Sequence, residues 1–249
     1  MEDYPDSLVA LQPHVGDNWA TTWTWARWNF YNGYYVPRVQ VDGLVVFIGS
    51  GEGTYANMES AMLDRLPIPT DVTIELYGDP VEDQTYLITA VLNLEEGAAR
   101  KTVHVHLVDC IFNWPYNTDG RYNNGVKQGF DLGNFTLNPG EETVIQQEVT
   151  FDDESWGLQD DIRIALFAQE PLNQGPAEIY QSEMIAWPLP PFDACPGDID
   201  DDGTVGAADL LALLEAWGNT SGPEDINGDG IVNAADLLEL LAAWGPCPR

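Results

Sequence analysis

Two stretches near the C-terminal end carry oxygen-bearing residues at a spacing suited to a hard cation. The first reads Asp198-x-Asp200-x-Asp202-Gly203, then five residues, then Asp209. The second reads Asp225-x-Asn227-x-Asp229-Gly230, then five residues, then Asp236, and begins 27 residues later (225 minus 198). Side-chain oxygens at loop positions one, three and five converge on one ion, and the glycine permits the sharp turn that brings them together. Thr204 and Ile231 offer backbone carbonyls at position seven. Position nine is Gly206 or Asn233, where a water can complete the shell. Asp209 and Asp236 supply the last carboxylate and suit the positive end of the helix that follows. An acidic turn opening an amphipathic helix is the plainer alternative. It does not explain why the whole pattern, glycine included, is written twice. Two Ca²⁺ ions are therefore expected.

These loops lack the helix that precedes an ordinary calcium hand. "PFDACPG" precedes the first and "NTSGPE" the second, and both break helices. Only the exiting helices are written, "AADLLALLEAW" and "AADLLELLAAW", stopped at Gly218 and Gly245. A duplicated loop plus exiting helix resembles a dockerin domain, over residues 195–249. The resemblance implies a calcium-folded adhesion module that docks a cohesin-like or other surface protein, often beside polysaccharide-processing enzymes. Its recognition residues fall at Ala207, Ala208, Ala234 and Ala235, where the best-known members carry a Ser/Thr pair, so the metal carries over better than the partner. The helices also bear an apolar stripe including Leu211 and Leu238, wider than one helix pair needs, which suggests a docking face. The approximate two-fold symmetry implied by the resemblance brings Cys195 and Cys247 together as a disulfide, leaving Cys110 a free thiol.

Composition narrows the partners. Nine Lys+Arg against 41 Asp+Glu give a net charge of −32, which disfavours nucleic acid, anionic lipid and acidic substrates. No apolar run is long enough to span a membrane as a helix. The opening "MEDYPDSLVA" has no signal-peptide pattern.

The elements upstream read as two further domains. In residues 1–69, "DSLVALQPHVGD" reads as a strand and "NWATTWTWARWNFYNGYY" as a helix with Trp19, Trp23, Ala26 and Phe30 on one face. A hairpin turning at Asp42-Gly43 and a second helix follow. "ARWNFYNGYYVPRVQVDG" resembles the thioredoxin-like domain of Omp28-related extracytoplasmic proteins. The resemblance implies a cis-proline at Pro37 and an opening strand and helix, with any C-x-x-C and signal peptide, upstream of Met1. Residues 70–187 hold seven short alternating runs, from "DVTIELYG" to "AEIYQSEMIAW", expected to form a β-sandwich. Residues 188–197 make a proline-rich linker. The expected fold class is thus multidomain α+β: a partial thioredoxin-like α/β unit, a β-sandwich and a small all-α dockerin with two calcium loops.

The leading reading is a calcium-binding, extracytoplasmic attachment protein with no catalytic constellation in the chain as given. One alternative is a thiol oxidoreductase whose C-x-x-C lies upstream. Another is a carbohydrate-binding accessory module using loop aromatics such as Trp114, Tyr116, Tyr122 and Trp156. His104 and His106 share a strand face, with Cys110 further along it, but no third metal ligand stands near them in the sequence, so a half-exposed strand face is the favoured reading.

Overall fold

A computed structural model of the chain describes residues 9–49, 51–115, 120–192, 195–200, 202–220 and 222–247. Tyr116, part of "DSLVALQPHVGD" and Asp201 lie outside that set. The chain forms two compact units, Met1–Pro191 and Phe192–Arg249.

The first unit opens with α1 (Thr22–Phe30), β1 (Arg38–Val41), β2 (Val45–Ile48) and α2 (Glu52–Arg65). It continues through β3 (Val72–Glu82), β4 (Thr85–Leu94), β5 (Lys101–Ile111), β6 (Trp114–Pro115) and β7 (Arg121–Tyr122). It ends with β8 (Gly125–Leu137), β9 (Glu142–Thr150), α3 (Asp153–Gly157), β10 (Ile162–Gln169) and β11 (Ile179–Ala186). The seven alternating runs of residues 70–187 form seven long strands in two antiparallel sheets, ordered β11-β10-β5-β8 and β3-β4-β9. Every second residue points inward. Ile74 and Leu76 of β3, Leu92 of β4, Val103, Val105 and Leu107 of β5, and Ile164 and Leu166 of β10 meet in one buried core. Cys110 is buried on the other face of β5, and burial pushes its thiol well above the usual range.

The partial thioredoxin-like α/β unit is not what the N-terminal residues form. β1 and β2 make a two-stranded antiparallel hairpin with no third strand among the described residues. A thioredoxin-like unit sets such a hairpin in a larger sheet, and "DSLVALQPHVGD" reads as a strand of that unit. Gln12 instead makes a single parallel bridge to Gly125, in the sandwich. The hairpin turn is held by the sandwich too: the carbonyls of Asp42 and Gly43 accept from the amides of Ile179 and Ala177. Arg65 of α2 bridges Asp42 and Glu178. The Val36–Pro37 peptide is cis.

The second unit is not all-α. It holds β12 (Thr204–Val205), α4 (Ala207–Glu215), α5 (Ala234–Ala242) and β13 (Gly245–Pro246), and β12 pairs with β13. Among the described residues strand outweighs helix, 38% to 21%. Two-residue strands carry no periodicity, so a repeat whose only periodic run is a helix reads as purely helical. The pairing is reciprocal. Val205 of the first loop pairs with Gly245 beyond α5, while Val232 of the second exchanges hydrogen bonds with Gly218 and Asn219 beyond α4. Val205, Val232, Leu213 and Leu240 are fully buried in the core between the halves. Cys195 and Cys247 are joined by a disulfide.

Candidate functional site

In the second unit both loops close around their own carboxylates. Gly203 and Gly230 adopt φ of +85° and +88°, the left-handed region that glycine enters without penalty. Asp198 accepts from the amides of Asp202 and Gly203 at 3.0 and 2.8 Å. Asp225 Oδ2 accepts from Gly230 at 3.0 Å. One oxygen each from Asp198, Asp200 and Asp202 lies within 4.8 Å of the others. In the second loop Asn227 Oδ1 accepts from Asp229, and Asp229 Oδ1 accepts from Ile231. Asp225 Oδ1 is buried and has no hydrogen-bond partner among the described residues. Desolvation and the neighbouring charge of Asp202 raise the Asp200 carboxyl above its ordinary range.

Asp209 and Asp236 behave differently from the exposed carboxylates. They are 1% and 0% exposed. Asp209 accepts three backbone amides, from Ile199, Asp200 and Gly206, and Asp236 accepts from Asn227 and Asn233. Burial pushes both carboxyls up, but these amide bonds outweigh it and hold them below the ordinary value. A carboxylate offers about four lone-pair sites, so three are already committed at Asp209. Each of these residues therefore ties its loop to its helix. Thr204 sits in the β12–β13 ladder, and the Ile231 carbonyl accepts from Asn233 Nδ2 at 2.8 Å. Ala207, Ala208 and Ala234 are exposed and Ala235 half-buried. Leu211 and Leu238 are 67% and 68% exposed.

The first unit holds a second arrangement. A cleft of about 720 Å³ lies between α1 and the outer face of the β11-β10-β5-β8 sheet. Trp23 fixes α1 there by laying its indole on Gly129, where a Cβ would fall 2.2 Å from the ring. His106 and Asp131 are cross-strand partners, as are His104 and Gln169. Asp131 Oδ1 lies 2.6 Å from His104 Nε2 and accepts from the Gly133 amide. Burial alone would raise Asp131, but the bond and charge from His104 dominate and lower it. Arg27 Nη1 lies 2.9 Å from His106 Nε2, while its Nη2 donates to Tyr31 and to Gln169 Oε1. Burial, then the Arg27 charge, push His106 down to about 3, so the ring is neutral at ordinary pH.

Asp131 is the third oxygen or nitrogen ligand that the sequence did not place beside His104 and His106, and the three ligand atoms lie within 4.8 Å. The trio is nonetheless not arranged as a metal centre. A guanidinium only donates, so it already holds the His106 Nε2 lone pair, and His106 Nδ1 lies 3.4 Å from Trp23 Nε1. Sequence reasoning missed Arg27, Asp131 and Gln169. The available signal was an arginine four residues after Trp23 and three before Phe30, on the face of α1 expected to be apolar. Of the loop aromatics, Trp114 is 1% exposed with its indole donating to Glu154, and Trp156 stacks on Phe151.

No protein-family model and no curated protein matches the chain. Among solved structures it is similar to HBP35 of Porphyromonas gingivalis, at 13% identity and TM-score 0.49, covering 67% of this chain. The chain spans 57% of that protein. A domain of the outer membrane lipoprotein Omp28 from the same organism matches at 11% identity and TM-score 0.33, over 51% of this chain and 94% of that one. A β-glucosidase from Kluyveromyces marxianus matches at 12% identity and TM-score 0.28, over 47% of this chain and 14% of the enzyme. Among the described residues no helix is long and apolar enough to cross a membrane.

Proposed function

We propose that the chain is a calcium-binding, extracytoplasmic attachment protein, in which the C-terminal unit is a dockerin-like module and the sandwich unit is its cargo. The observation that carries this reading is the pair of matching loops, one gathering three carboxylates and the other burying an unpartnered oxygen of Asp225. Like charges held that close repel, and a buried carboxylate oxygen without a partner is costly. A divalent cation relieves both. Asp198, Asp200, Asp202, Asp209 and the Thr204 carbonyl would hold one ion. Asp225, Asn227, Asp229, Asp236, the Ile231 carbonyl and Asn233 would hold the other. The bound ion neutralises the loop carboxylates; the chain itself supplies the turn, the helix caps and the buried Val205–Val232 core.

Ca²⁺ suits flexible oxygen loops better than Mg²⁺, which demands a smaller octahedral shell. The Cys195–Cys247 bond is of the kind that persists in oxidising compartments, which supports the extracytoplasmic reading. The exposed leucines at equivalent positions of α4 and α5, flanked by Ala207, Ala208, Ala234 and Ala235, are the surface on which a cohesin-like or other surface protein would dock. Calorimetry of the whole chain with CaCl₂ tests the reading: two Ca²⁺ per chain are expected, with much weaker Mg²⁺ binding and loss of C-terminal order on chelation. A stoichiometry near zero overturns it.

A further inference from the structure

We propose that the cleft between α1 and the outer face of the four-stranded sheet binds a small organic carboxylate, with Arg27 and Gln169 as its donors. Acidic residues outnumber basic ones 41 to 9. Arg65, Lys101 and Lys127 each contact a carboxylate. Arg27 has none within 4.0 Å among the described residues; its partners are the neutral acceptors His106, Tyr31 and Gln169. Arg38 and Arg163 likewise donate to neutral oxygens, so an arginine without a carboxylate is not unusual in this chain; what sets Arg27 apart is that it lines the cleft, where it can meet an acid that is not part of the chain. Asp131, the acid on the cleft wall, is engaged by His104 and Gly133.

The Arg27 guanidinium lies 4.7, 4.9 and 5.4 Å from the ring centroids of Phe30, Tyr31 and Phe167. Three of its five N–H groups are committed, leaving two for a ligand. Gln169 is 1% exposed, and with its Oε1 given to Arg27 its Nε2 has no partner among the described residues. A ligand oxygen in the cleft would give that donor a partner. Arg27 and Gln169 thus supply donors to the cleft, while Trp23 and Phe30 line it for an apolar part.

Charge selects the ligand class. One guanidinium balances one negative charge; a phosphate dianion would add an unbalanced charge beside Asp131. A divalent metal is disfavoured because Arg27 holds the His106 lone pair. The volume, about 720 Å³, is in the range of clefts that take small molecules.

The test is a titration of the ¹⁵N-labelled whole chain with benzoate, with benzamide as its neutral isostere and with inorganic phosphate. Arginine Nε–H resonances are assigned through bonds, so no variant is needed to identify Arg27. Benzoate is expected to shift the Arg27 resonance saturably, with benzamide and phosphate leaving it in place. Gln169→Leu is expected to weaken benzoate by about tenfold, the loss of one hydrogen bond to a charged group. Equal binding of benzamide, a response to phosphate but not benzoate, or shifts only at other arginines would each overturn the proposal.

Discussion

The sulfur of Cys247 lies 3.3 Å from Oδ2 of Asp198, the first carboxylate of the first loop. The clasp that closes the second unit is therefore built directly onto a proposed ion ligand. Cross-linking residues 52 apart restricts the unfolded chain by about 4 kcal/mol in the chain-entropy model. Replacing both cysteines by serine is expected to lower the stability of this unit by an amount of that order and to weaken Ca²⁺ binding, the first loop more than the second. Calorimetry of the wild type and the double variant measures both effects. Unchanged affinity would mean that the clasp and the loop act independently.

Gly129 lies under the Trp23 ring with no room for a side chain. Gly129→Ala is expected to push α1 off the sheet and cost about 1–3 kcal/mol, the usual penalty of overpacking. Urea unfolding gives the energy, and the Arg27 Nε–H resonance reports whether the cleft has opened.

Asp109 is fully buried, and burial pushes its carboxyl up to about 7. The unfolded chain ionises it near 3.8. An acid whose folded value is raised favours the fold while protonated, so stability falls as pH rises from about 4 to about 7 and then levels off. The full cost is on the order of 4 kcal/mol. Asp109→Asn is expected to flatten that slope. Urea midpoints across pH 4–8 decide it, and an equal slope in the variant rules this residue out as the source.

Leu211 and Leu238 contribute little to the interior, being 67% and 68% exposed. Changing both to Asp is expected to alter stability by only about 0.5 kcal/mol, as surface substitutions do. Ca²⁺ binding should be unaffected while capture of a surface-protein partner is lost. Retained capture by the doubly substituted chain would move the docking face elsewhere.

Legibility in the sequence followed the distance over which each feature is encoded. The backbone of the loops is local: Gly203 turns at positive φ and Asp209 caps α4 within one turn and one helix start, so type and spacing suffice for those two features. The strands of the sandwich were legible for a similar reason, because an antiparallel sheet with one face inward writes its alternation into each strand, as in Val103, Val105 and Leu107. The cleft is different. Its hydrogen bonds join Arg27 to His106 and Gln169, 79 and 142 residues away, and Asp131 meets His106 only through the register of β5 against β8. A register is not readable from either strand alone. The hairpin misled because its residues resemble a thioredoxin-like segment locally, while the contacts at Asp42 and Gly43 that determine its setting come from Ile179 and Ala177.

The reciprocal pairing of Val205 with Gly245 and of Val232 with the Gly218–Asn219 backbone has a consequence for descent. Neither loop-plus-helix half can satisfy its own backbone or bury its own valine; each needs the tail of the other. A solitary ancestor of this repeat would have had to find a second copy of itself, as a symmetric homodimer. Tandem duplication places that second copy on a short tether, at an effective concentration on the order of millimolar. What had been an encounter between molecules becomes a closure within one, independent of how dilute the protein is. The two halves are then free to diverge, as Asp200 and Asn227 already have, because neither must any longer be complementary to itself.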